Sequence, residues 1–579
     1  MLDAHYQYAW KAHFWLEDFE IFEENLSDVY DCAQSSYSAT KWESVVTLIT
    51  VHRSYVKFNK ITPTIDIEVI EKNTLKQLHS IADEETSPSN ALFAQAQLAI
   101  FTLHKIEYID ESAPVFEELL VILKHSELLV GFPFGKIFNL INGVDDIFSD
   151  VESYENLLDY LTEQSCQRDG EVQRAMLQLK RGIKRLDIGK PYQAIKLVGK
   201  SLTLLYKEES TDQVILALRV ISTAYESVGL LWASRASMLL AASLLTDKFW
   251  KRDELNTRQL QTYYQLCWAE LKLGRLGHAL KWYELTLLIQ SGLNEDVIGE
   301  NEIMSIEAFI CHLILNSSFD VTKRLENLPS VLDGFNLYSS SGNLIVALGY
   351  FDEFEQEYKT PVDDDLFELL VKMRDFNFGI HPRGLNLNID KRAIHSSRLL
   401  GCHISINSPN RTPFVELSEG ILSLLESVFA TCAVDQLRLK EAYLSIEVIV
   451  DDEDEFEINH ELDEHSGKLH LEVICSGFDE EAFDLQRQSL LHKWFKQLIF
   501  DLLPEMFIVN DTETLTKMFI EDGALDRSLS LSTCFNASNN VLGKDLGSRL
   551  KSYLVINQIQ KATQCFSPKH GIRITLKLN

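Results

Sequence analysis

The sequence predicts a mainly α chain, a helical-hairpin solenoid followed by a C-terminal α+β domain. Three observations predict it. Apolar residues recur at helical period from the first residues to about 375. Between about 170 and 290 such stretches come in pairs that meet at glycines, as helical hairpins do. After about 385 the period falls to two, the mark of half-buried strands. The expected division is an N-terminal helical domain over 1–165, repeat helices over 166–375 and the α+β domain over 376–579.

The first part opens with Trp10, Phe14, Phe19, Phe22, Leu26, Val29 and Tyr30 at steps near helical period. Ser38, Ala39 and Thr40 interrupt it, and Trp42, Val45, Val46 and Ile49 begin a second helix. Pro63, the 84–90 segment, Pro114 and the Gly131-Phe132-Pro133 turn break the chain further. Between these breaks lie the apolar-periodic runs 67–81, 91–106 and 115–129. Helices of this length joined by short breaks suggest an array of hairpins.

In the middle a pattern recurs. Tyr263, Leu266, Cys267 and Ala269 precede Gly274, and Leu276, Ala279, Leu280 and Tyr283 follow it. Around Gly229 the same places hold Leu218, Ile221, Ser222 and Ala224, then Leu231, Ser234, Met238 and Ala241. A weaker copy surrounds Gly189, with Ala194, Ile195, Val198 and Ser201 after the turn. This pattern resembles the tetratricopeptide repeat, in which a glycine ends the first helix and a small residue lets two helix axes approach. The glycines are 40 and 45 residues apart, longer than that family's period of about 34, so helices or loops must be extended. The stretches 325–350, 398–406 and 415–431 are similar to parts of large bacterial tetratricopeptide-type proteins. That resemblance implies a component of a multi-protein bacterial system and carries no catalytic residue.

The helical pattern continues through 303–315 and 341–358. In the last part, 401–407 and 443–450 alternate as strands. Pro413 opens a helix with Leu417, Ile421, Leu424, Leu425 and Val428 on one face. Residues 456–460 and 468–475 read as a hairpin about His465-Ser466-Gly467, a helix follows over about 480–503, and 572–578 alternates as a final strand.

Charge and composition bound the function. The chain of 579 residues carries a net charge of −32, which opposes a surface built wholly for nucleic acid. The charge is uneven: residues 1–150 hold 24 acids and 10 bases, residues 151–300 hold 19 of each, and the rest 43 acids and 25 bases. No uninterrupted apolar run of about 18 residues occurs, so no membrane partner is expected. Residues 1–5 lack the basic start of a secretory signal, and nine scattered cysteines without a Cys-x-x-Cys pair fit a reducing compartment; the expectation is cytoplasmic.

Catalytic and cofactor motifs are wanting, and no cofactor is expected. Gly131 to Ile137 has one residue too few between its glycines for a phosphate loop and lacks the Ser or Thr that holds magnesium. His460 and His465 are five apart, so on a helix they would diverge by about 140°. Cys402 beside His403 reads as a structural thiol. The run Asp451 to Glu455 reads as a solvated connection, since its contiguous carboxylates lack the glycine of a calcium loop.

Basic residues against the global charge say more. Residues 168–281 hold 19 bases and 11 acids. Lys180, Arg181, Lys184 and Arg185 lie one turn apart on one helix, and Lys190, Lys196 and Lys200 continue the stripe. Repeat helices stack so that first-helix side chains line a groove, where such a stripe suits an acidic peptide or the chain's own acidic flank. A solvated helix face explains the stripe equally well. Between 541 and 579, Lys544, Arg549, Lys551, Lys561, Lys569, Arg573 and Lys577 face only Asp545, so nucleic-acid contact is open there, without an aromatic platform to support it. The expected function is a non-enzymatic protein–protein interaction scaffold or regulator that binds a protein or peptide. The alternative makes the α+β domain a divergent hydrolase or nuclease in which Glu416, Glu419, Glu426, Glu472, His403 and Cys402 converge.

Overall fold

The computed structural model describes residues 1–508, apart from 58–62, 207–209, 294–297, most of 360–383, 435–437, 479–484 and a few shorter gaps. The final strand expected at 572–578 and the basic segment from 541 lie outside the described residues. The chain is mainly helical and ends in a region with a mixed five-stranded sheet. Among the described residues no helix is long and apolar enough to cross a membrane. Two compact units divide between Ile188 and Gly189. Of the boundaries expected from sequence, the one near 165 falls within a helix and the one near 375 outside the described residues.

The first unit is all helical: α1 (Leu2–Lys11), α2 (Phe19–Gln34), α3 (Ala39–Lys57), α4 (Ile67–Ala82), α5 (Pro88–Leu103), α6 (Ala113–His125), α7 (Phe134–Gly143), a short α8 (Asp145–Phe148), α9 (Glu152–Asp169) and α10 (Glu171–Asp187). Local chemistry marks the starts. The Asp18 carboxylate accepts the Ile21 N–H at 3.1 Å, and Asp66 does the same for Val69 at 3.2 Å, each satisfying a backbone donor that a helix leaves unpaired. Phe22, Leu26, Val45, Phe116, Phe138 and Tyr154 are buried in one continuous core.

The second unit begins with α11 (Pro191–Leu205), α12 (Thr211–Ser227), α13 (Leu231–Arg252), α14 (Thr257–Lys272), α15 (Leu276–Leu293) and α16 (Glu300–Leu315). The pairs α12/α13 and α14/α15 are hairpins with the same turn. Gly229 and Gly274 adopt φ of 80° and 74°, which a side chain opposes. The residue after each glycine reaches back five positions: Leu230 N–H to Tyr225 O at 2.9 Å, Arg275 N–H to Glu270 O at 2.8 Å. At the first crossing Ser222 and Ser234 are close enough for their hydroxyls to bond at 2.9 Å. The Gly189 copy differs, because the division into units passes through its turn and leaves α10 and α11 in different units.

Four shorter helices follow, α17 (Phe319–Thr322), α18 (Leu328–Gly334), α19 (Tyr338–Ala347) and α20 (Phe351–Tyr358). An extended strap around residues 384–388 then closes over the Gly274 turn. Asn386 N–H bonds to Gly274 O at 2.9 Å, and Leu385 N–H bonds to Ser317 Oγ at 2.8 Å. A β-carbon on Gly274 would sit 2.7 Å from the backbone oxygen of Gly384. Gly274→Ala therefore meets both an unfavourable φ and a backbone atom that cannot rotate away. It is expected to lower unit stability by about 2 kcal/mol in urea denaturation, of which the left-handed φ accounts for about 1 kcal/mol.

The strands are β1 (Arg392–Leu399), β2 (Cys402–Pro409), β3 (Arg438–Leu439), β4 (Tyr443–Val450), β5 (Glu457–His465), β6 (Lys468–Ser476) and β7 (Phe507–Ile508), with β3 and β7 forming a separate short pair. The sheet order is β1-β2-β4-β6-β5, with β2, β4 and β6 parallel and antiparallel strands at both edges. Helix α21 (Thr412–Val434) makes the crossover from β2 to β4 that parallel pairing requires, and α22 (Leu485–Met506) follows β6. Alternation assigns the faces: Leu399, Cys402, Ile404, Ile446, Leu471 and Val473 are buried, while His403, Ser405, Ser445, His470 and Glu472 occupy the opposite, more accessible face. The hairpin expected over 456–475 is β5 paired with β6, Leu462 opposite Leu471.

Sequence reading places Leu417, Ile421, Leu424, Leu425 and Val428 on the packed face of α21, and the structure buries them all. It also buries Ser418, Glu419, Ser423, Glu426 and Ser427. The helix has no solvent side along this stretch, because β1 and β2 lie against it on one flank and α11 and α13 on another. Its polar residues therefore face protein, and that decides where the electrostatic centre of the unit lies.

Candidate functional site

The expected basic stripe splits in two. Spacing of four puts Arg181 and Arg185 on the inner side of α10, where they are 2% and 1% exposed. Arg181 bonds to Asp159 at 2.8 Å and to Glu155 at 3.2 Å. Arg185 meets Asp145 at 2.6 Å, the Ser149 carbonyl at 3.1 Å, and Glu155 as well. Tyr154 bonds to the same Asp145 at 3.0 Å, and burial together with that carboxylate pushes its phenol pKa up. Both guanidiniums are thus buried and paired inside the first unit, unlike the solvent-facing stripe that spacing suggests. Lys180 is exposed, and Lys184 is half-buried with its amine 3.8 Å from Asp146. Lys190, Lys196 and Lys200 belong to the second unit and are half-buried there.

Of the residues gathered under the catalytic alternative, Cys402, His403, Glu472 and Glu426 do not converge. Cys402 faces the core, where burial and the charge of Glu441 push its thiol up to about 11, and His403 points to the other face. Glu472 shares that outer face with Glu447 and Glu461 on neighbouring strands, whereas Glu426 lies on α21 beneath the opposite side. His460 sits on β5 against Trp494, with Asp501 at 3.1 Å, and not on a helix. Among the described residues no group of His, Cys, Asp and Glu has the arrangement of a metal site.

Sequence reading missed the ionic centre of the second unit. Glu419 projects from α21 between two arginines, Arg235 of α13 at 2.8 Å and Arg275, which follows the Gly274 turn, at 2.5 Å. Glu270 of α14 completes the square, 2.6 Å from Arg235 and 3.3 Å from Arg275. Arg275 also lies over the Trp232 ring at 5.7 Å, and the Trp232 indole N–H donates to the Ser396 carbonyl at 3.0 Å. Burial by itself raises a carboxyl pKa, but Arg235 and Arg275 outweigh it, holding Glu419 down to about 2 and Glu270 below its ordinary value. Two cations and two carboxylates cancel, so helices of both hairpins and α21 are tied at one neutral, desolvated point.

Glu426 lies two turns further along α21, and among the described residues no cation pairs with it. Its carboxyl accepts the Ala233 N–H at 2.8 Å and the Ser397 hydroxyl at 2.7 Å, capping the start of α13 from another element. Burial dominates and raises it to about 8, the hydrogen bonds from Ala233, Ser397 and Trp232 opposing only in part. His395, edge-on to Trp232 at 5.4 Å, is driven the other way by burial, down to about 4.

A second charge cluster lies on the hairpins. Asp212 of α12 is 2.5 Å from Lys248 of α13 and 3.7 Å from Arg258 of α14, and its pKa is lowered chiefly by the Lys248 hydrogen bond. Arg252 adds to the same field. Arg219 of α12 reaches Gln261 of α14 at 3.0 Å, and its Nε has no acceptor among the described residues. Burial, then the neighbouring charge of Arg258, lowers the Arg219 pKa. Three consecutive helices therefore bring Lys248, Arg252 and Arg258 to bear on Asp212, with Arg219 beside Arg258.

No family model, curated protein or solved structure matches this chain.

Proposed function

We propose that the chain is a non-enzymatic interaction protein whose tetratricopeptide-like hairpins capture an acidic segment of a partner protein. The cations of α12, α13 and α14 carry this reading: Lys248, Arg258 and Arg252 act on Asp212, and the buried Arg219 feels the like charge of Arg258. Like charges held together on a chain of net −32 are relieved by an anionic ligand, and guanidiniums pair with carboxylates in a two-pronged fit. The free cysteines Cys32, Cys267, Cys311, Cys402 and Cys475 support a cytoplasmic setting, where thiols stay reduced.

The test is titration of a labelled Glu/Asp-rich peptide. Arg252→Glu with Arg258→Glu, both on the surface, is expected to weaken binding about tenfold or more and to flatten its salt dependence. Arg219→Gln should weaken it in the same direction. Wild-type affinity in the charge-reversed chain would contradict the proposal.

A further inference from the structure

We propose that the end of α1 in the first unit is a separate docking surface for a cationic amphipathic segment of a partner protein. Helix α1 widens at Ala12–Leu16 into a π-helical turn that stops at Glu17, a non-glycine residue at φ 48°. A left-handed conformation is unfavourable for a residue with a β-carbon, and π turns recur at functional positions. Both Glu17 and Asp18 close back on the Ala12 carbonyl, Asp18 at 3.1 Å, before Asp18 caps α2. The three side chains before this stop all face solvent: Phe14 at 66%, Trp15 at 85% and Leu16 at 56% exposure. An isolated exposed apolar residue needs no explanation, but three in succession, held out by a strained backbone, do.

The patch is extended and its surroundings are charged. Phe14 stacks on Trp10 at 5.2 Å, and Trp10 meets Tyr6 edge-on at 6.0 Å, so aromatic surface continues back along α1. Residues 1–35 contain eight acids and one lysine; Glu17 ends the turn that carries the patch, and Glu20 and Glu24 are exposed on the first two turns of α2, which follows it. Aromatic faces attract ammonium and guanidinium groups, and the carboxylates add charge-assisted hydrogen bonds. Nucleic acids, anionic lipid surfaces and acidic peptides are repelled by the same rim. A second copy of this chain would bring another strongly negative surface. The occupant that fits is a segment with Lys or Arg on one face and Leu-type side chains on the other.

The probe is a fluorescein-labelled amphipathic Lys/Leu peptide titrated against the full chain. Phe14→Ala with Trp15→Ala, and separately E20K with E24K, are expected to weaken binding about tenfold with an unchanged circular dichroism spectrum. The charge-matched control E117K with E118K, exposed on α6, is expected to bind like wild type. An equal loss in that control would mean attraction to net charge alone and would overturn the proposal, as would wild-type affinity in the Phe14/Trp15 variant. Sedimentation showing that Trp15 drives self-association in place of peptide binding would overturn it too.

Discussion

Glu419→Ala is expected to remove about 3–5 kcal/mol from the stability of the second unit, the largest loss for any single substitution considered for this chain. The reason is the company the carboxylate keeps. Arg235 and Arg275 are 4% and 5% exposed, and Glu419 is one of the two carboxylates they share. Its removal leaves two guanidiniums desolvated with Glu270 as their remaining carboxylate. Glu419→Gln retains the shape and an acceptor oxygen but not the charge, so its loss should fall between wild type and alanine. Urea denaturation followed by near-ultraviolet circular dichroism checks both, and an alanine variant within about 1 kcal/mol of wild type would show that the square is a minor contributor.

A fall in stability with rising pH between about 6.5 and 8 is the second expected result, and it belongs to Glu426. Its folded pKa, about 8, lies above the ordinary 4.5, so the folded chain binds the proton more tightly than the unfolded one. The stability from this group is fully present below 4.5 and is lost as pH rises through 8. The pKa difference bounds the loss at about 4–5 kcal/mol. Its neighbours act with the opposite sign. His395, lowered to about 4, contributes stability that is present above 6.5 and lost as pH falls through 4. Glu419 weakens the unit only as pH falls toward about 2. Above 6.5 Glu426 is therefore the group of this cluster that changes charge. Glu426→Gln, which imitates the protonated acid, should match wild type near pH 5 and exceed it at pH 8. An unaltered pH profile in this variant would refute the assignment.

Periodicity carried the fold and failed at the site, for physical reasons. The glycines at 229 and 274 were legible because few other residues tolerate a positive φ at a hairpin turn. The strands at 402–409, 443–450 and 468–476 were legible because one face is buried and the other is not. Spacing also placed Lys180, Arg181, Lys184 and Arg185 on one helix, but it cannot tell an arginine facing solvent from one facing Glu155 and Asp159 on a neighbouring helix. The clue available was those two acids themselves, one turn apart in the segment just before. The square of Arg235, Glu270, Arg275 and Glu419 had no such clue, since its members are up to 184 positions apart and meet only when α21 packs against the hairpins. A glutamate on an apolar helix reads as its solvent side until the second packing surface is known.

Photo-crosslinking bears most directly on the interaction proposal: a Glu/Asp-rich peptide carrying a photoreactive group is bound to the full chain, irradiated, and its adducts mapped by mass spectrometry. Adducts concentrated on α12 and α14, over residues 211–227 and 257–272, are predicted, with their loss when Arg252 and Arg258 are reversed to Glu. Adducts that leave those helices unmarked, or a pattern unchanged by the reversal, would contradict it.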